Sequence, residues 1–222
     1  MPDNTLYNTE EILRLLKLEH IGPDRFLGQS HFMGSPNVFG GQVVGQALYA
    51  ASVTVENRRP HSLHSLFLLP GNYQMPIEFE VERLRDGGSF SARRVVAYQE
   101  GRRIFVTSIS FQNEEEGLSH QKPTPATADP ERLQSSTKAW KEKAAAMKRA
   151  FQPVPVDFRA DHAGSIDRGH MRGTSRQIWT RSPVPLPNDV VTHETLFAYV
   201  SDYGLLWTSL QPHGIHGHAG EA

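Results

Sequence analysis

No cysteine occurs among the 222 residues. That excludes disulfides, a thiolate nucleophile and any cysteine-based zinc site. A chain of this kind suits a reducing compartment, and the cytoplasm is the expected location. An apolar run of the ~20 residues needed to cross a bilayer is also missing, so no membrane partner is expected. So is an excess of charge: 23 Lys and Arg face 24 Asp and Glu, a net charge of −1. Such a balance supplies no bulk field for nucleic acid or an anionic membrane. The first residues lack the basic-then-apolar layout of a signal peptide, and the last three are neither a peroxisomal address nor a lipidation signal. His213, His216 and His218 cluster in a glycine-containing tail without a rigid frame, so a metal site is not expected there.

What is present is enough for a core. About 38% of the residues are apolar, and the length allows one large or two small domains. Residues 9–20 read as a helix, with Thr9 as a cap and Ile12, Leu13, Leu15, Leu16 and Leu18 on a broad apolar face. Gly22-Pro23 stops it, and a short strand follows near 25–29. Gly40-Gly41 opens a second helix over about 41–55. Its small and apolar residues run nearly all round, which predicts burial, and its glycines and alanines let another backbone approach closely. Four strands are expected at 62–69, 77–84, 89–99 and 103–112. The third-from-last alternates Ile77, Phe79 and Val81 with Glu78, Glu80 and Glu82, the mark of a half-buried strand. Pro70-Gly71, Asp86-Gly87-Gly88 and Glu100-Gly101 are turn signals at hairpin spacing. One buried helix followed by an antiparallel meander predicts a curved sheet wrapped around that helix.

Residues 113–170 read as a linker with a polar helix over 131–150. From 171 the first pattern restarts: a strand at 177–181, a proline-rich loop, then a helix with Thr192 as a cap and Leu196, Phe197, Tyr199, Val200, Leu205 and Leu206 as apolar positions. A strand followed by a buried helix occurs twice, which suggests internal duplication.

The run from Val38 through Gly40-Gly41-Gln42 to Ala51 resembles the type II, TesB-like acyl-CoA thioesterases. His61-Ser62-Leu63-His64-Ser65, Leu84-Arg85-Asp86-Gly87, Ser89-Phe90-Ser91, Ser110-Phe111-Gln112, Gln177-Ile178-Trp179, Ala198-Tyr199-Val200-Ser201-Asp202 and Gln211-Pro212-His213-Gly214 extend the likeness over most of 9–215. The resemblance implies an α+β double hotdog. Residues 1–112 would form the first unit, 113–170 the linker, and 171–222 an incomplete second unit. It implies hydrolysis of acyl-CoA to coenzyme A and a carboxylic acid, without a cofactor, in a homo-oligomer (dimer or tetramer). It also implies that Asp202 activates a water, helped in the family by a Thr or Ser in an Asp-His-Ser-x-Trp-Phe-His-like strand and by a Gln in a Gln-Glu-Gly-like segment. Neither of those two motifs occurs in this sequence. The expectation is therefore a C-terminally shortened member, with Leu196, Phe197, Leu205 and Leu206 short of burial partners.

Thioester hydrolysis needs a positioned base and a dipole for the developing oxyanion. Asp202 is the candidate base; by local sequence alone it reads equally as a helix cap. Gly40, Gly41 and Gln42 are candidates for shaping the thioester site, because a helix start offers N–H groups; Gly40-Gly41 also reads as a tight helix entry. His61 and His64 head an apolar strand three residues apart, so one of them is expected to face inward, with His61 the candidate for lining the site. Lys138, Lys141, Lys143, Lys148 and Arg149 read as a solvated helix face or as contacts for a coenzyme A phosphate. Two rival functions remain at this point. One is a non-catalytic acyl-CoA-binding protein or inactive fragment. The other is a hydratase pairing His193 with Asp202, disfavoured because nine residues put the two on opposite sides of a helix.

Overall fold

The computed structural model describes residues 8–33, 35–133, 135, 156–160, 175 and 177–213. The expected cationic face at Lys138, Lys141, Lys143, Lys148 and Arg149 lies outside these residues, as do His216 and His218. The chain divides into two compact units. One comprises residues 11–119 and 186–202; the other comprises 1–10, 120–185 and 203–222.

The larger unit holds the site. Helix α1 (Thr9–Leu16), most of which belongs to it, is shorter than the apolar pattern suggests, because the chain turns back into a hairpin, β1 (Glu19–Gly22) and β2 (Arg25–Gly28). Pro23-Asp24 makes that turn, with Asp24 at φ 52, a left-handed conformation that Asp tolerates better than most residues. The segment α2 (Gly40–Ser52) follows, then β3 (Arg59–Phe67), β4 (Ile77–Asp86), β5 (Phe90–Gln99) and β6 (Arg102–Gln112). The sheet is antiparallel in the order β1-β2-β4-β5-β6-β3. Phe26, Ile77, Phe79, Val81, Val95, Ala97, Phe105, Ile109 and Phe111 point inward onto Val43, Ala47, Leu48, Ala50 and Ala51 of α2. The curved sheet around one buried helix is the expected arrangement.

One connection differs from expectation. Pro70-Gly71 does not close a hairpin, since β3 pairs with β6 and not with β4. The chain instead crosses to the far side of β5. Gln99 fastens the crossing loop: its amide accepts from the N–H of Asn72 at 2.8 Å and donates to the carbonyls of Asn72 and Met75 at 2.9 and 3.0 Å. Glu100-Gly101 does turn β5 into β6, both residues having positive φ (49° and 71°) as a two-residue primed turn requires.

Far from Gly40, the end of α2 is held by Arg93, whose side chain is almost fully buried. Its guanidinium donates to Thr54 Oγ1 and O, to the carbonyls of Arg85 and Ala92, and to Asp86 at 2.7 Å. The buried cation is tolerable because every one of these bonds is made.

Helix α3 (Val190–Ser201) belongs to the same unit and packs along α2. Its cap is Asp189 and not Thr192: the Asp189 carboxylate accepts from the Thr192 N–H at 3.1 Å and from its hydroxyl at 2.6 Å. Gly41 and Gly45, one turn apart, allow the close approach. A methyl group at Gly45 would sit 2.7 Å from Leu16 and 2.9 Å from the Thr195 carbonyl oxygen, and one at Gly41 would run into the Tyr199 carbonyl oxygen. Leu196 is therefore buried in this contact, whereas Phe197, on the outer side of α3, is 70% exposed.

The smaller unit contains β7 (Asp157–Ala160) paired antiparallel with β8 (Ile178–Arg181), and α4 (Leu205–Leu210). Arg159 joins its pieces, donating to Asp157 at 2.8 Å and to the Pro130 carbonyl at 2.7 Å. A 3₁₀ turn covers Pro130–Arg132 where the start of a longer polar helix was expected; Pro130 favours a helix start, but Leu133 is extended. Of the four residues expected to be short of burial partners, Leu205 and Leu206 are 63% and 62% exposed and Phe197 is exposed as well, whereas Leu196 is buried.

Candidate active site

The first turn of α2 and the last turn of α3 meet inside the larger unit. Phe39 precedes α2 in an extended conformation (φ −65, ψ 129), and no side chain caps the helix. The first N–H groups of a helix have no partner within it and carry the positive end of its dipole. Here a carboxylate from elsewhere takes one of them: Gly41 N–H donates to Oδ2 of Asp202 at 2.9 Å. Asp202 sits at the C-cap of α3, with φ −79 and ψ −13. Burial raises its carboxyl above the ordinary range, and the Gly41 N–H opposes that shift only in part. The result is a half-buried carboxylate of increased basicity, held at the positive end of a buried helix.

Gly40 faces the same carboxylate. A methyl group there would lie 2.8 Å from Oδ2 of Asp202 and 3.1 Å from the ring of Phe67, so glycine is needed for the three to meet. Tyr199, fully buried one turn before Asp202, packs edge-on to Phe39 at 5.2 Å between ring centroids. Its hydroxyl is 3.3 Å from Nε2 of His31. Burial lowers the His31 pKa to about 4, which keeps the imidazole neutral at physiological pH.

Two family models match the chain. The model for the acyl-CoA thioesterase N-terminal domain matches residues 29–112, and the acyl-CoA thioesterase model matches residues 142–220. Acyl-CoA thioesterase 2 of Haemophilus influenzae is 36% identical over 208 residues, covering 91% of this chain and 73% of the relative. The chain belongs to the acyl-CoA thioesterase family. Human acyl-coenzyme A thioesterase 8 is 33% identical, covering 91% of this chain and 68% of its own length. Among solved structures, the acyl-CoA thioesterase II TesB2 of Mycobacterium marinum is 35% identical with a TM-score of 0.72, covering 91% of this chain and 72% of that one. A protein with a hot dog fold from Alicyclobacillus acidocaldarius, at 18% identity and TM-score 0.69, covers 90% of this chain and 72% of that one and supports the fold alone. The sheet and helix of this thioesterase are those of a hotdog fold.

The expected site residues are not all brought together. Asp202, Gly40 and Gly41 are. Gln42, the next residue of the thioesterase helix, is fully buried and its amide nitrogen lies 3.1 Å from the Gln29 carbonyl, 3.0 Å from Ser30 Oγ and 3.2 Å from Gln46 Oε1. Its side chain anchors α2 to the segment before it and does not join Asp202. Its backbone N–H is also engaged, by the Phe39 carbonyl at 3.1 Å.

His61 lies on the outer face of the sheet. A bulge between Pro60 and Ser62 shifts the register of β3, so the three-residue spacing no longer separates His61 from His64. Both lie on the outer face, opposite the side that meets α2. His61 contacts Ser110 Oγ at 2.8 Å and Phe90 edge-on. It is also six residues along β3 from Phe67, about 20 Å at ~3.3 Å per residue. His193 belongs to the opposite end of α3, about 13 Å along the helix from Asp202 at 1.5 Å per residue, and its ring is bonded to the Pro187 carbonyl at 2.9 Å. The hydratase pairing is thus not assembled. Among the described residues no group of histidines and carboxylates is arranged to hold a metal, and no helix is long and apolar enough to cross a membrane.

The ring of Phe67 also borders Gly40; it ends an apolar strand and carries no polar atom, so nothing in its type or spacing marks it in the sequence.

Proposed function

We propose that the chain hydrolyses acyl-CoA thioesters with Asp202 as the base that activates water. The observation that carries this reading is the seating of the Asp202 carboxylate on the Gly41 N–H at the start of α2. The names of the relatives supply the substrate class. In this reaction the water oxygen bonds to the thioester carbonyl carbon while a water proton passes to Asp202. The carbon–sulfur bond then breaks, and the departing coenzyme A thiolate recovers a proton. The products are coenzyme A and a carboxylic acid. A carboxyl pushed up by burial is a better proton acceptor than an ordinary one. The dipole of α2 favours negative charge nearby, which assists the tetrahedral oxyanion. Gly40 and Gly41 shape the approach to this point.

Thiol release from acyl-CoAs of different chain lengths, followed with a thiol reagent, tests the reading. Turnover above the no-enzyme rate is expected; no release from any of them contradicts it. A second reading is acyl-CoA binding without hydrolysis. Calorimetric binding in the absence of thiol release would select it.

Three further points belong to the same proposal. Residues 171–222 descend from the opening of a second hotdog unit, a reading supported by the sequence order of the strand β8 and the buried helix α3, the latter folded into the larger unit. The chain forms a homo-oligomer, a reading supported by β3, which pairs only with β6 and leaves its other edge open among the described residues. The absence of cysteine suits a cytoplasmic location. Light scattering and fractionation, respectively, test the last two.

A further inference from the structure

Phe67 is the last residue of β3, and it lies opposite Phe105 in the register with β6. Phe105 is 1% exposed and belongs to the core around α2. Side chains directly opposite on paired strands share a face, so Phe67 projects to the helix side of the sheet, its ring 5.1 Å from that of Phe105. Leu63 and Ser65 precede it on that side and are partly covered, whereas Phe67 itself is 57% exposed. It continues into Leu68 and Leu69, whose N–H groups both donate to the Ile104 carbonyl at 2.9 and 3.2 Å and whose side chains are 47% and 39% exposed. A hypothetical methyl at Gly40 would touch both the Phe67 ring and the Asp202 carboxylate, at 3.1 and 2.8 Å. The ring edge and the carboxylate oxygen are therefore within about 6 Å of each other, close enough for one small group to touch both.

An aromatic ring on the core side of a sheet normally ends up covered. Here the uncovered ring adjoins the Asp202 carboxylate seated at the start of α2. A thioester has an apolar chain on one side of the carbonyl that the base must address, and that chain has to rest on something. We infer that Phe67 is a specificity-determining residue that supports the acyl chain next to the thioester carbonyl, with Leu68 and Leu69 extending the apolar surface. The inference rests on the reading of Asp202 as the catalytic base. Phe67 carries no polar atom and takes no part in proton transfer; it contributes contact area that grows with the part of the chain it reaches. Burial of each methylene stabilises by a roughly constant amount, so the contribution is greater for a chain long enough to cross the ring than for one that ends before it.

The test compares wild type, Phe67→Ala, Phe67→Leu and Phe90→Ala with acetyl-CoA and decanoyl-CoA as probes. Phe90 is an exposed aromatic residue on the outer face and serves as control. Phe67→Ala is expected to lower kcat/KM for decanoyl-CoA by about tenfold or more, mainly through KM, and for acetyl-CoA by less than about threefold. Phe67→Leu is expected to restore most of the loss, and Phe90→Ala to leave both values unchanged. In parallel, calorimetry in an Asp202→Asn background measures decanoyl-CoA binding without turnover. There Phe67→Ala is expected to weaken decanoyl-CoA by a similar factor and to leave free coenzyme A unaffected. An equal loss for both thioesters, no loss for either, or unchanged decanoyl-CoA binding overturns the inference. A wild type that binds decanoyl-CoA through Phe67 and releases no thiol overturns the hydrolytic reading and leaves the role of Phe67 standing.

Discussion

Asp202 carries two opposed demands. As a base it must be ionised, yet its surroundings favour the protonated form. Burial, the larger influence, raises its pKa, and the Gly41 N–H pulls it partly back. For a carboxyl with a raised folded-state pKa, the stabilising contribution is complete below the unfolded value, near 3.8, and is lost as pH rises through the folded value. Replacement by the neutral isostere should then relieve the folded protein at neutral pH. Asp202→Asn is expected to melt no lower than wild type at pH 7, and its advantage should vanish near pH 3.8, as differential scanning calorimetry at the two pH values would record. The pH dependence of kcat/KM should carry the same signature. Its acid limb is expected above the ordinary carboxylate range, because only the ionised form accepts a proton from water. A limb at or below the ordinary value would mean that a different group titrates.

At the scale of elements, the contact between α2 and α3 decides where Asp202 sits. Gly41 lies against the Tyr199 carbonyl with no room for a side chain. Gly41→Ala would have to separate the helices, and a cost of about 1–3 kcal/mol or more is expected from overpacking. Chemical denaturation measures it, with loss of turnover accompanying the loss of stability. Asp189→Ala removes the side-chain cap of α3 and is expected to cost about 1 kcal/mol. Because Asp189 is at the far end of α3, turnover by the folded fraction should change little. The elements themselves were largely legible in the sequence. Alternation in 77–81 marks β4, and the small apolar residues of 43–51 mark α2. Illegible were features set by partners distant in the chain. Nothing near Pro70-Gly71 reveals that β3 will pair with β6. The bulge at Pro60/Ser62, which turns His61 outward, has no local signature either. Thr192 and Asp189 are both good capping residues, and only the geometry of the helix start separates them.

For the molecule as a whole, the response to acid follows from groups with different signs. His31 is buried and neutral, with its pKa lowered from 6.5 to about 4. The unfolded chain binds a proton that the folded chain excludes, so this residue costs stability as pH falls from about 6.5 to 4. The full penalty is about 3 kcal/mol, at 1.36 kcal/mol per pKa unit. Asp24 and Asp86 act in a lower window. Their carboxyls are held below the ordinary value by bonds to Arg83, and to Arg93 and Ser91, respectively, and their stabilisation is lost as pH falls through those depressed values. Urea denaturation at pH 7 and pH 5 is expected to reveal a decrease that His31→Gln largely removes. The candidate site was half legible in the sequence. The resemblance singled out Asp202 and Gly40-Gly41, which the fold unites although 161 positions separate Gly41 from Asp202. Gln42 was named because its type suits a site as well as a buried anchor, and the fold gives its side chain to the segment before α2; Phe67 is not marked in the sequence because an apolar residue on a strand looks like core.

The central claim is that Asp202, seated on the Gly41 N–H, is the base for thioester hydrolysis. Its most direct test is the rate of thiol release from decanoyl-CoA by wild type beside Asp202→Asn, in equal amounts of folded protein. Wild type is expected to turn over measurably and the variant to lose ~10²–10⁴-fold in rate. Equal rates in the two proteins would contradict it.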